Sequence, residues 1–175
     1  KYWNQEDVGF QKDKFPPEKT IYLSLIKKTG IHRKDGNSFL LGNPSSEPTF
    51  DALWTASEGF LESAKNGKKN LISIFEILRK KPFKLKQGFL DFWISIFLII
   101  KKDDFALFDD DGYIPNLSSD FFDLFLKKPN NYYIKTFDVK GIKLDIFNKY
   151  REIINQSSEN KFSNTNFIET IKPFL

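Results

Sequence analysis

The stretch that most constrains the fold runs from Lys81 to Gly112, KPFKLKQGFLDFWISIFLIIKKDDFALFDDDG, and its centre, Gln87 to Ile100, is the most apolar run in the chain. Within it Gly88, Asp91 and Ser95 are spaced three and four apart, which puts them on one narrow stripe of a helix and leaves the other sides apolar. Such a helix has to be buried nearly all round. A bilayer span needs about 18 to 20 apolar residues; this run is shorter and contains Asp91, so the pattern predicts the central helix of a water-soluble core. The DFALF segment, an Asp-Asp-Gly turn and YIPN then read as a β-hairpin.

The flanking segments supply the rest of a core. Pro16-Pro17 opens a helix expected from Pro17 to Thr29, with Ile21, Tyr22, Leu25 and Ile26 on its apolar face and Gly30 as its cap. Asp35-Gly36 followed by SFLL predicts a turn and a short strand. Phe50, Leu53, Trp54, Phe60 and Leu61 recur at helical spacing, and NLISIFEILRKKP gives a second amphipathic helix ended by Pro82. Ser118-Ser119-Asp120 caps a short helix closed by Pro129, and YYIKTFDV alternates as a strand. An amphipathic helix over IKLDIFNKYREIINQ, a polar linker and a last helix complete the chain. The expected fold class is α+β, mainly helical, with a winged-helix-like centre and a small β-hairpin. Residues 1–15 read as an arm, 16–67 as a helical lobe, 68–155 as the winged-helix-like core, and 156–175 as a linker and helix continuing into a longer parent chain.

Composition narrows the function classes. With no cysteine there is no disulfide framework, thiolate metal site or cysteine nucleophile. No basic segment followed by an apolar one opens the chain, so the reading is cytoplasmic with no membrane partner. The first residue is Lys1 and methionine is absent throughout, which makes the sequence read as a piece of a longer protein. It leaves the oligomeric state open.

Three features are taken together: TGIH (Thr29 to His32), the helix centred on Trp54, and RKKPFKLKQGFLDFWI followed by an aspartate-rich hairpin. In combination they resemble segments of large multidomain bacterial NTPases of the phage-defence type. The resemblance covers most of residues 20–155 and implies a helical, winged-helix-like module outside the P-loop core, with a role in antiviral defence. Where such proteins carry a Pro-aromatic-Gly step, this chain has Pro82-Phe83-Lys84.

Catalytic chemistry finds little to build on. His32 is the only histidine, so it reads as a turn residue or a hydrogen-bonded structural histidine; a triad or a His-rich zinc site lacks its other members. Counting back from Gly112, the Asp109-Asp110-Asp111-Gly112 run puts Leu107 at the first ligand position of a calcium loop and Ser118 at the bidentate one, so it reads as a solvated turn. No GxxxxGK[ST] or GxGxxG occurs. The pairs Asp103/Asp104 and Asp120/Asp123 sit at turn and cap positions, where carboxylates are ordinary. No catalytic residue, metal or cofactor is expected.

Charge segregation is the functional signal. The net charge is only +4, yet eight basic residues and one acid lie between Lys65 and Lys86, and seven aspartates and no base between Asp103 and Asp123. Lys80, Lys81, Lys84 and Lys86 oppose the dipole of the helix they precede, so fold stability does not explain them. Lys68, Lys69, Arg79, Lys80, Lys81, Lys84 and Lys86 are therefore the candidate binding residues, for the DNA or RNA backbone or for an acidic partner, which includes the remainder of the parent chain. The apolar helix cannot read bases and three consecutive aspartates on a wing repel phosphate, so sequence-specific readout is not expected. The alternative is a structural or oligomerisation domain with no nucleic-acid contact.

Overall fold

The computed structural model describes residues 2–136 together with the isolated positions 149, 152 and 153. Apart from those three positions, which are helical, the helix, linker and last helix expected beyond residue 141 lie outside the described residues, as does the end of the strand expected through Val139. The protein is a mixed α+β structure with two small antiparallel sheets, and the chain divides into two units, Lys1–Ala56 and Ser57–Leu175.

In the first unit, helix α1 (Pro17–Ile21) starts with proline in its first turn and continues as a wider π-type turn over Tyr22–Lys27. There the Lys28 amide reaches back five residues to the Leu23 carbonyl at 3.0 Å. Gly30 ends the run at φ +77°, and a Cβ there would lie 2.4 Å from the Ser45 hydroxyl, so both backbone and space demand glycine. Strands β1 (His32–Asp35) and β2 (Ser38–Leu41) pair with Asp35 opposite Ser38, closing a two-residue turn in which Gly36 takes φ +57°. The expected turn is there, with a strand on each side of it. Tyr22, Ile26, Ile31 and His32 are buried.

Helix α2 (Asp51–Ser63) follows a 3-10 turn at Pro48–Phe50 and buries Leu53, Trp54, Ser57, Phe60 and Leu61. The second unit continues with β3 (Lys69–Asn70), α3 (Ile72–Arg79), α4 (Gln87–Ile100), β4 (Phe105–Asp109), β5 (Gly112–Ile114), α5 (Ser119–Phe125) and β6 (Tyr133–Thr136). Helix α4 is the expected one. It buries Leu90, Trp93, Ile94, Ile96, Phe97 and Leu98, and the Trp93 indole donates to Ser57 Oγ at 3.0 Å. Its wetter face is broader than the expected stripe, because Phe89, Phe92 and Ile99 are half-buried beside Asp91 and Ser95.

The sheet order is β3-β6-β4-β5. Leu107 of β4 lies opposite Ile134 of β6 on one side and Ile114 of β5 on the other, so the hairpin is the outer half of a four-stranded sheet. Asn70, read from sequence as the start of a helix, instead joins Lys69 in an edge strand that pairs with Ile134 and Tyr133. The Asn70 carboxamide accepts from the Ile72 amide at 2.9 Å and donates to the Asn130 carbonyl at 2.6 Å, which starts α3 late and ties it to the β6 approach. Ser118 caps α5 by accepting from the Phe121 amide at 3.1 Å. Phe121 stacks on Phe125 at 5.4 Å, with Tyr132 edge-on at 5.2 Å and Phe75 of α3 at 5.7 Å from Phe125. Among the described residues no helix is long and apolar enough to cross a membrane.

Candidate functional site

The connection from α3 to α4 gathers the lysines. After Arg79 the backbone turns extended at Lys80 (ψ 167°), and the loop closes through Lys84 N–H to the Lys80 carbonyl at 2.9 Å and Leu85 N–H to the Leu78 carbonyl at 3.1 Å. Phe83 and Leu85 are half-buried and hold the loop down, while Lys80, Lys81, Lys84 and Lys86 are exposed. Lys86 is the N-cap of α4 and its side chain makes no capping bond. Lys84 takes φ +50°, the left-handed region, where a side chain costs about 1 kcal/mol that glycine avoids.

The seven basic residues expected to act together are not one patch. Arg79 is tied to the Gln87 carboxamide, which donates in turn to Asp91 at 2.5 Å, and its guanidinium lies 5.8 Å from the Phe75 ring. Lys68 sits 3.6 Å above the Phe108 ring and Lys69 is in β3. These two are at the far end of α3, whose eight residues at about 1.5 Å each separate them from the loop by about 12 Å. Four lysines therefore form the compact cluster. Among the described residues none of the seven is ion-paired with a carboxylate.

The acidic block divides among a backbone turn, an ion pair and solvent. Asp109 accepts from the amides of Asp111 and Gly112, each at 3.0 Å, and so builds the β4–β5 turn. Asp104 and Glu58 hold Lys101 at 3.4 and 2.8 Å; burial pulls that ammonium's pKa down, but the two carboxylates outweigh it and leave the group above its ordinary value. Asp120 and Asp123 are exposed on α5. Millimolar calcium or magnesium is accordingly expected to leave the melting temperature unchanged, since a ligand stabilises only a state it binds; a thermal scan showing a rise of several degrees would reveal an ion site on this turn.

Of the two readings of His32, the hydrogen-bonded structural histidine is the one found, but its partners and the burial of Lys19 were not legible in the sequence. His32 is buried between Tyr22, Phe39 and Trp3, with ring centroids 5.7, 5.3 and 6.4 Å away. Its Nε2 lies 2.8 Å from the Trp3 carbonyl, which can only accept, so Nε2 carries a proton; Nδ1 meets the Tyr22 hydroxyl at 2.7 Å. The Tyr22 phenol is pushed up to about 12 by burial and then by the neighbouring Asp7 and Glu6 carboxylates. Lys19 is likewise buried, its ammonium donating to the carbonyls of Gln11, Lys12 and Lys14 at 2.6, 3.2 and 2.9 Å and lying 4.0 Å from the Phe15 ring. Residues 1–15, read as an arm, supply Trp3 and Phe10 to these contacts. The known protein families, the curated proteins and the solved structures contain no match to this chain.

Proposed function

We propose that this chain is a non-catalytic interaction module, with a winged-helix-like centre, of a larger cytoplasmic NTPase-type protein, and that it holds the phosphate backbone of DNA or RNA on the loop between α3 and α4. The observation that carries this is Lys84. It is exposed and left-handed, so a lysine stands where backbone energetics favour glycine. Lys80, Lys81 and Lys86 surround it at the start of α4, whose first amides favour an anion. Affinity of this kind is sequence-tolerant and salt-dependent, because each neutralised phosphate releases a counterion.

Anisotropy of a labelled oligonucleotide tests it. Micromolar binding is expected at low salt, and changing Lys80, Lys81, Lys84 and Lys86 together to Gln should reduce the slope of log K against log salt by about 3 to 4. Lys84→Gly alone should weaken binding while raising the melting temperature. A quadruple variant that binds as the parent does, or a parent that does not bind at low salt, leaves the second reading, a packing or oligomerisation domain.

A further inference from the structure

Strand β2 (Ser38–Leu41) pairs with β1, and no other described element runs along it. The register shows which of its backbone groups this leaves over. The Gly42 amide donates to the Ile31 carbonyl at 2.9 Å, and in an antiparallel ladder bonded and unbonded pairs alternate from there. Leu40 opposite Arg33 and Ser38 opposite Asp35 are therefore bonded pairs, whereas Phe39 opposite Lys34 and Leu41 opposite His32 are not. The amides and carbonyls of Phe39 and Leu41 point away from β1, and among the described residues they meet no hydrogen-bond partner.

Open edges are normally guarded by charge, proline or a bulge. The first strand is guarded in this way: it reads His-Arg-Lys-Asp, and the π-type turn Tyr22–Lys27 lies beside it. The second reads Ser-Phe-Leu-Leu, carries no charge, and has Phe39, Leu40 and Leu41 half-buried. A two-stranded sheet is marginal by itself and gains from further strands.

The unpaired groups match those of their own copy. With a two-fold axis at Leu40, Phe39 faces the partner's Leu41 and Leu41 faces the partner's Phe39. Each pair exchanges two backbone bonds, so all the outward groups of the strand are used. Leu40 then meets the partner's Leu40 and Ser38 lies opposite the partner's Gly42, so no charge faces a like charge. An axis at Phe39 or at Leu41 would instead set a strand residue against Asn37 or Asn43, which lie outside the strand. We propose that this chain forms a two-fold dimer through β2, whose outer edge pairs antiparallel with that of a second copy to give a sheet ordered β1-β2-β2-β1. The inference concerns the first unit and does not rest on the lysine loop.

Sedimentation velocity of the whole chain tests it. Association should be weak, on the order of 10 to 100 μM, because the interface is small, and single chains should give way to pairs across that range. Leu40→Lys and Leu40→Glu each set like charges directly opposite across the axis, and each alone should weaken pairing about tenfold. Mixed in equal amounts, the two variants should pair again with an affinity close to the parent's. An opposite charge does not repair a general loss of stability, so recovery on mixing reports the pairing itself. Leu41→Pro removes one outward N–H from each chain and none that β1 uses, and should also weaken pairing, since an edge strand tolerates proline where its amide faces outward. A parent that stays a single chain at every concentration overturns the proposal and leaves the edge to a strand of another protein. It is overturned equally if the single variants pair as the parent does, or if the mixture pairs no better than its components.

Discussion

Trp93→Ala is expected to lower the free energy of unfolding by about 3 to 5 kcal/mol, a large part of the about 5 to 15 kcal/mol that holds a domain together. Trp93 is 1% exposed at the middle of α4, and its indole is both the bulkiest group buried on that helix and the donor to Ser57 Oγ on α2. Alanine removes the packing and the hydrogen bond together. Trp93→Phe keeps one aromatic ring in the site while losing the N–H and part of the indole's volume, and should cost less than alanine, about 1 to 3 kcal/mol. Urea denaturation of both variants gives the comparison. An alanine variant with the parent's midpoint and slope would show that α4 is not the centre of the second unit.

Lys19→Met should cost about 2 to 4 kcal/mol in the first unit. Hydrogen bonds from a charged donor contribute about 1.5 to 3 kcal/mol each, but the Gln11, Lys12 and Lys14 carbonyls share one ammonium and lie on exposed residues that can turn to water, so the three do not add. Methionine keeps the aliphatic stem and removes the three donors. The segment 11–16 should then open, and limited proteolysis within it should run faster than in the parent, whose other sites keep their rates. If cleavage and melting temperature both match the parent, the buried ammonium is not what ties this loop down.

Local patterns in the sequence were informative where one face of one element decides the structure. The apolar run of α4, the Ser118 cap, the Asp35-Gly36 turn and the hairpin after residue 104 each follow from contacts within a few residues. What escaped depends on partners distant in the chain. Asn70 looks helical as the first residue of NLISIF and, with Lys69, becomes a strand only because β6 supplies Ile134 and Tyr133. Lys19 has the composition of a solvated residue, and its burial is decided by where the Gln11–Lys14 carbonyls come to lie. In the candidate site the lysine cluster was legible as a charge run. Its division was not: Lys68 lies over Phe108 and Arg79 is held by Gln87, contacts set by the sheet and by the start of α4.

The position of β6 has a consequence for how the chain must be made. The two hairpins can close as soon as their own residues exist, whereas β3 and β4 have no direct pairing and are joined only through β6, the last strand among the described residues. Until Tyr133–Thr136 arrives, β4 keeps one bare edge, and its Phe105, Ala106, Leu107 and Phe108 are all residues that the finished sheet buries. An apolar strand with an open edge recruits whatever strand is nearest, a neighbouring copy included. A chain interrupted before Tyr133 is thus a nucleus for aggregation, and synthesis of the second unit stays exposed to that hazard until β6 has left the ribosome.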